Sequence, residues 1–338
     1  MRKKSIVFSL LVMVVMATLT FWSCGNKEKK SDLSLQEADK LVKISVRMKW
    51  FFAGTMTGWF AAKEHGYFER HGLDVTITPG GPQNSSVKLV AAKTDDFGVT
   101  GADELLLARS QGIPVVAIAV LFKHSPVCFV SKAEKGIKSP KDWAGKKIEV
   151  SYGENAEYQY RALRQKFNIK DADVKEVPYT FSVIPFIEDK VDVSPAYAMD
   201  QAATLEMRGI KLDKIFAKDY GIDPYGDIII TREEILKDRP ELVKEFVAAV
   251  LESHNWAKDH IEESVDALIK NVDALKKEEQ LVVFQKTIPF IYPEDDSLPI
   301  GKMSIERWEE SQTLLLTFKV LEKKVDLSKA FINDFLPY

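Results

Sequence analysis

Phe97-Gly98-Val99-Thr100-Gly101-Ala102-Asp103-Glu104-Leu105-Leu106-Leu107-Ala108-Arg109-Ser110-Gln111-Gly112-Ile113 is the stretch that decides the fold class. Its first three residues read as a short strand, a polar break follows, and Ala102 to Gln111 carries apolar side chains at helical spacing until Gly112 ends the run. Val115 to Phe122 then forms a strongly apolar strand. Strand, helix and strand in that order imply a right-handed crossover and a largely parallel sheet.

The same rhythm extends in both directions. Upstream, Ile44–Met48 alternates with period two and predicts a strand, Thr57–His65 a helix stopped at Gly66, and Leu73–Ile77 a second strand. Pro79-Gly80-Gly81-Pro82 is a turn, and Asn84, Ser85 or Ser86 can cap a helix running to Lys93. Downstream the pattern restarts. Strands are predicted at Lys147–Val150, Val174–Val177, Val191–Val193 and Leu212–Phe216, with helices at Asn155–Phe167, Phe181–Glu188 and Ala198–Arg208. Val183 to Ala196 parallels Leu89 to Ala102, and Gly209-Ile210 parallels Gly112-Ile113. Two α/β lobes follow, whether or not the halves share an origin.

After Asp227–Thr231 the chain turns helical, with a long amphipathic helix opened by Pro240 and further helices at Ile261–Ile269, Lys277–Gln285 and Ile305–Val320. Without strands of their own, these helices are expected to pack on the first lobe. The expected division is residues 43–127 plus 232–338 for lobe 1 and 130–228 for lobe 2, with crossings near 127–131 and 228–231. Two crossings make a hinge, and a ligand site between the lobes couples closure to binding.

The N-terminus reads as an export signal. Arg2, Lys3 and Lys4 precede an apolar run from Ile6 to Trp22, then Ser23 and Cys24. Residues 1–24 resemble a lipoprotein signal, with Cys24 as the lipidated residue, although Phe21 stands where an aliphatic residue is usual. Residues 25–42 are charged and form a tether. Behind it, a chain that is 46% hydrophobic and 29% charged, with net charge -3, reads as a globular body and has no electrostatic footprint for nucleic acid. Cys128 is the only other cysteine, so no internal disulfide is expected.

No catalytic constellation emerges. His65, His71, His124, His254 and His260 form no HxxxH or HxH pair, and His254 and His260 are expected to face solvent. GxSxG, P-loop and GxGxxG motifs are missing. Three loop clusters follow strands, where open α/β sheets place ligands. Trp50-Phe51-Phe52-Ala53-Gly54 offers aromatics for stacking, or for the core. Thr100-Gly101-Ala102-Asp103-Glu104 offers carboxylates for a ligand, or for its own helix N-terminus. Ser151-Tyr152-Gly153-Glu154-Asn155 offers polar groups for either purpose. Tyr197 and Asp227 add candidates from the second lobe and the return crossing.

VRMKWFFAGTMTGWFAAKEHGYFERHGLDVTI (46–77), DDFGVTGADELLLARSQGIPVVAIA (95–119), GIKSPKDWAGKKI (136–148) and KDRPELVKEFVAAV (237–250) together resemble the thiamine pyrimidine synthase-like and sulfonate-binding-like substrate-binding proteins of ABC importers. The resemblance implies a type II periplasmic-binding fold. It implies a receptor outside the cytoplasmic membrane whose partners are a small-molecule ligand, an importer permease and the membrane through its lipid. Such a receptor calls for no cofactor, metal or nucleic acid, and a monomer is expected. The same family includes fungal synthases that use a lysine, a histidine and a cysteine-rich iron motif. Here those places hold Thr100, Glu104 and the cysteine-free stretch 220–227, which argues against the synthase reaction. Among receptors, the wording is nearest to those for thiamine pyrimidine precursors, which are favoured, or riboflavin. The residues implied at the site are Trp50, Phe51, Trp59, Thr100, Asp103, Glu104, Tyr152, Asn155, Tyr197 and Asp227.

Overall fold

A computed structural model describes residues Leu41–Tyr338; the signal, Cys24 and most of the tether lie outside the described residues. The first sheet has five strands in the order β2-β1-β3-β10-β4, with β1 at Val42–Arg47, β2 at Leu73–Thr78, β3 at Phe97–Thr100, β4 at Val115–Val120 and β10 at Ile228–Arg232. The second is built from β5 (Val127–Lys132), β6 (Lys147–Val150), β7 (Lys175–Pro178), β8 (Ser194–Tyr197) and β9 (Leu212–Phe216). β8, β5 and β9 pair in that order, and a single parallel bridge from Val193 to Ile148 joins them to the β6-β7 pair. Helices cover both sheets. They are α1 (Thr57–Glu64), α2 (Tyr67–Arg70), α3 (Ser86–Ala91), α4 (Ala102–Ser110), α5 (Asn155–Lys166), α6 (Ile184–Ile187), α7 (Gln201–Met207), α8 (Glu233–Asp238), α9 (Pro240–Ala257), α10 (Ile261–Asn271), α11 (Lys277–Ile291) and α12 (Ile305–Thr317). No helix among the described residues is long and apolar enough to cross a membrane.

The alternation of side chains along a strand, broken in β4 by a register shift opposite Ile229 and Ile230, sets the layering. In β4, Ile118 and Ala119 join the core under α9, while Val115, Ala117 and Val120 join the core under α4 and α12. In β10, Ile229 serves the first core, and Ile228 and Ile230 the second. All six residues of β4 are buried, which is why it reads as a continuous apolar run. Phe246 of α9 lies stacked on Phe97, with ring centroids 3.9 Å apart, and also against Phe68 and Trp59.

Several expectations need correction. The sheets are mixed, not largely parallel. β10 runs antiparallel between β3 and β4, and β5 runs antiparallel to β8 and β9. The chain passes between the sheets at 121–126 and 217–227, so 127–131 and 228–231 are themselves paired strand. The strand expected at Val191–Val193 falls at Ser194–Tyr197, hidden by a Ser-Pro pair that reads as a breaker. His254 is buried rather than solvent-facing. Its Nδ1 donates to the Val250 carbonyl at 2.8 Å, its ring meets the edge of Trp59, and burial pushes its pKa down to about 4. Only glycine fits beside it: a Cβ on Gly58 would lie 2.6 Å from the ring. His260 is half-buried and stacks on Trp256 at 4.2 Å.

Candidate functional site

The strand ends of the two sheets converge on one cleft. Past β1 the chain continues through Met48 to Lys49 and Trp50. The 79–82 turn closes over this segment, and Gly80 donates from its backbone to the Trp50 carbonyl at 2.9 Å. A Cβ on Gly80 would lie 2.1 Å from the Met48 oxygen, so this close approach needs glycine. Thr100 ends β3, and the first turn of α4 follows it. Ser151 and Glu154 follow β6, Tyr179 and Phe181 follow β7, and Tyr197 ends β8. Asp227 sits where the chain returns to the first sheet, its carbonyl accepting from the backbone of Leu121 and Phe122 at 2.8 and 3.0 Å. The crossing beside it is tied down by His124, which bonds Asp223 at 2.5 Å and Asp295 at 2.9 Å.

The resulting cavity holds about 690 Å³ of unfilled space, counting its open mouth. Its wall brings together Trp50, Phe51, Asn155, Tyr197 and Asp227 from the expected set. Trp50 and Phe181 meet from opposite sheets with ring centroids 5.4 Å apart, and Tyr179 continues the aromatic row at 5.2 Å from Phe181. Asn155 donates through Nδ2 to the Tyr197 hydroxyl at 3.1 Å. Thr100 is buried and donates to Glu104, whose other carboxylate oxygen faces Lys49 at 3.7 Å. Asp103 is buried behind it and accepts from the Glu104 backbone N–H at 2.9 Å.

The other five expected residues are off this wall: Thr100, Asp103 and Glu104 lie beside it, and Trp59 and Tyr152 stand further apart. Trp59 is fully in the core, packed between Phe246 and His254, because the helix that carries it turns that face inward. Tyr152 is half exposed, reaches Glu176 at 3.2 Å, and lines an adjoining hollow shared with Lys49, Glu104 and Glu154. The sequence reading missed Lys49, Tyr179 and Asp200 on the wall, and Phe181, which packs on Trp50 beside it. Lys49 had a legible signal, since it lies beside Trp50 just past an alternating strand. Phe181 had none: it was read as the start of a helix but lies in a loop with φ +57°.

The cleft is rich in buried carboxyls. Burial pushes Asp103 and Glu154 up to about 7, and Asp200 and Asp227 up to about 6. Burial acts to lower Lys49, but Glu104, Tyr197, Asp227 and Asp103 outweigh it and hold the ammonium well above its ordinary value. Acids raised in the folded state bind protons that the unfolded chain has released. Their contribution is therefore greatest at low pH and is lost as pH rises from the unfolded value through the folded one. Without ligand, the melting temperature is expected to be higher near pH 6 than near pH 8. Asp103→Asn should shrink that difference in thermal melts, and an unchanged difference would remove Asp103 from the cause.

Comparison with known proteins places this architecture. The family model described as NMT1/THI5 like matches residues 54–264. A riboflavin-binding protein, RibY, of Chloroflexus aurantiacus is 25% identical over 88% of this chain and 87% of its own length. A formylaminopyrimidine-binding protein of Halalkalibacterium halodurans is 24% identical over 95% of this chain and 97% of its own. Among solved structures, the alkanesulfonate-binding protein SsuA of Xanthomonas axonopodis superposes with a TM-score of 0.67 at 14% identity, covering 86% of this chain and 98% of that one. The chain therefore belongs to the NMT1/THI5-like family and has the α/β two-lobe periplasmic-binding protein fold.

Proposed function

We propose that this chain is the extracytoplasmic solute-binding component of an ABC importer, anchored through a lipid on Cys24, and that it binds a small planar heteroaromatic vitamin or vitamin precursor. A thiamine pyrimidine precursor is the first choice. One observation carries the reading: Trp50, Phe51 and Tyr179 line the same cavity as the buried carboxyls Glu154, Asp200 and Asp227. Aromatic faces take a flat ring, and the carboxylates of Glu104 and Asp227 accept from amino or ring N–H groups. The same acids disfavour a sulfonate, whose charge they would repel. The likeness to a formylaminopyrimidine-binding protein supports the choice.

A receptor also suits the chemistry better than an enzyme. A lysine that forms a Schiff base needs a lowered pKa, whereas Lys49 is held charged. Riboflavin is the second reading, favoured by the row Trp50–Phe181–Tyr179, which extends over two successive ring contacts.

The test is a calorimetric and thermal-shift screen of the mature chain against 4-amino-5-hydroxymethyl-2-methylpyrimidine, riboflavin, thiamine and taurine, with recovery of the bound compound. The pyrimidine is expected to bind and to be returned unchanged. Binding of taurine alone, or turnover of the ligand, would overturn the reading. Incorporation of labelled fatty acid in wild type but not in Cys24→Ala tests the anchor.

A further inference from the structure

Among the described residues Lys49 is the one cation on the wall of the cavity, and its place there is unusual. Its side chain is 8% exposed, yet its ammonium has no hydrogen-bond partner. Glu104 Oε1 stands 3.7 Å away and Asp227 Oδ1 3.9 Å away, both too far for a normal hydrogen bond. Those two oxygens are themselves buried and unpartnered. Nζ packs close against Gly101, where a Cβ would lie 3.0 Å from it, so this approach favours glycine. Lys49 lines both the aromatic cavity and the adjoining hollow, with its ammonium buried at their edge.

Buried donors and acceptors left open in this way cost free energy unless something fills them. The filler has to satisfy both signs at once. It must accept from Lys49 and donate to Glu104 or Asp227. An anion would answer Lys49 but would meet Asp103, Glu104, Glu154 and Asp227 at close range. A simple cation would answer the carboxylates and be repelled by Lys49. We infer that Lys49 is a specificity-determining residue that reads a neutral acceptor placed beside an N–H donor on the edge of the bound ring, as in an amino-substituted ring nitrogen or a lactam. This rests on the proposed heteroaromatic ligand and narrows it to rings with such an edge.

The probe pair is 4-amino-5-hydroxymethyl-2-methylpyrimidine and 2-amino-4-methylbenzyl alcohol, which keeps the amine, hydroxymethyl and methyl groups but replaces both ring nitrogens by C–H. Wild type is expected to prefer the pyrimidine by about tenfold or more, the usual strength of a charge-assisted hydrogen bond. In Lys49→Met the preference should fall to within about threefold, and Lys49→Gln, which keeps a donor without the charge, should restore part of it. If Lys49→Met weakens both compounds equally, Lys49 is only a counter-charge and the inference is wrong. A wild-type ratio near one overturns it without any variant, should Lys49→Met fail to fold. Failure of both compounds and of riboflavin to bind wild type would overturn the heteroaromatic reading together with this inference. Binding of both with equal affinity overturns this inference alone.

Discussion

Phe246→Ala is expected to destabilise the protein by about 3–5 kcal/mol, the largest effect of any single truncation in the first core. Phe246 is fully buried and stacks on Phe97 of β3, on Phe68 of α2 and against Trp59 of α1. Removing it opens a cavity where three elements meet, and the flanking rings cannot collapse into it without leaving their strand and helices. Denaturant unfolding followed by far-UV circular dichroism measures the loss through the midpoint. A loss near that of a surface substitution would mean that α9 is not the cover of this sheet. Phe246→Leu should recover most of the stability, because it restores volume.

Trp50→Ala should weaken ligand binding by about tenfold or more while leaving the fold intact. Trp50 is only partly buried: it packs against Phe51 and Phe181 at the edge of the first core. Phe181→Ala removes the ring that packs against Trp50 and should weaken binding in the same direction, because Trp50 is then less well positioned. Titration calorimetry with whichever heterocycle the screen identifies gives both affinities. Melting curves for the two variants show whether stability moved. Wild-type affinity in both would place the ligand elsewhere in the molecule.

Much of the first sheet could be read directly. Ile44–Met48, Leu73–Ile77 and Val115–Phe122 carry period-two or continuous apolar runs, and the strands lie there. What the sequence hid was direction. β10 has the same Ile-Ile-Ile composition whether it runs parallel or antiparallel, because composition reports burial and not chain sense. Ser194–Tyr197 was hidden because a proline inside four residues outweighs any strand signal. The site was half legible for a similar reason. Trp50, Tyr197 and Asp227 follow or precede strands and could be placed by that rule. Trp59 looked equivalent to Trp50 because both precede aromatic residues, but helix phase, which decides which face turns inward, sets them apart. Lys49 and Phe181 belong to the site through contacts made across the gap between sheets, and no local pattern encodes those.

The position of β10 also orders the making of the molecule. It is the only described strand that joins β3 to β4, and it is supplied after the whole second sheet has been threaded. Until then β3 and β4 carry unpaired backbone edges, and closing the intervening loop has an entropic cost that only the completed sheet offsets. The first lobe is begun first and finished last. A chain emerging N-terminus first therefore cannot lock its first sheet until the return crossing has followed.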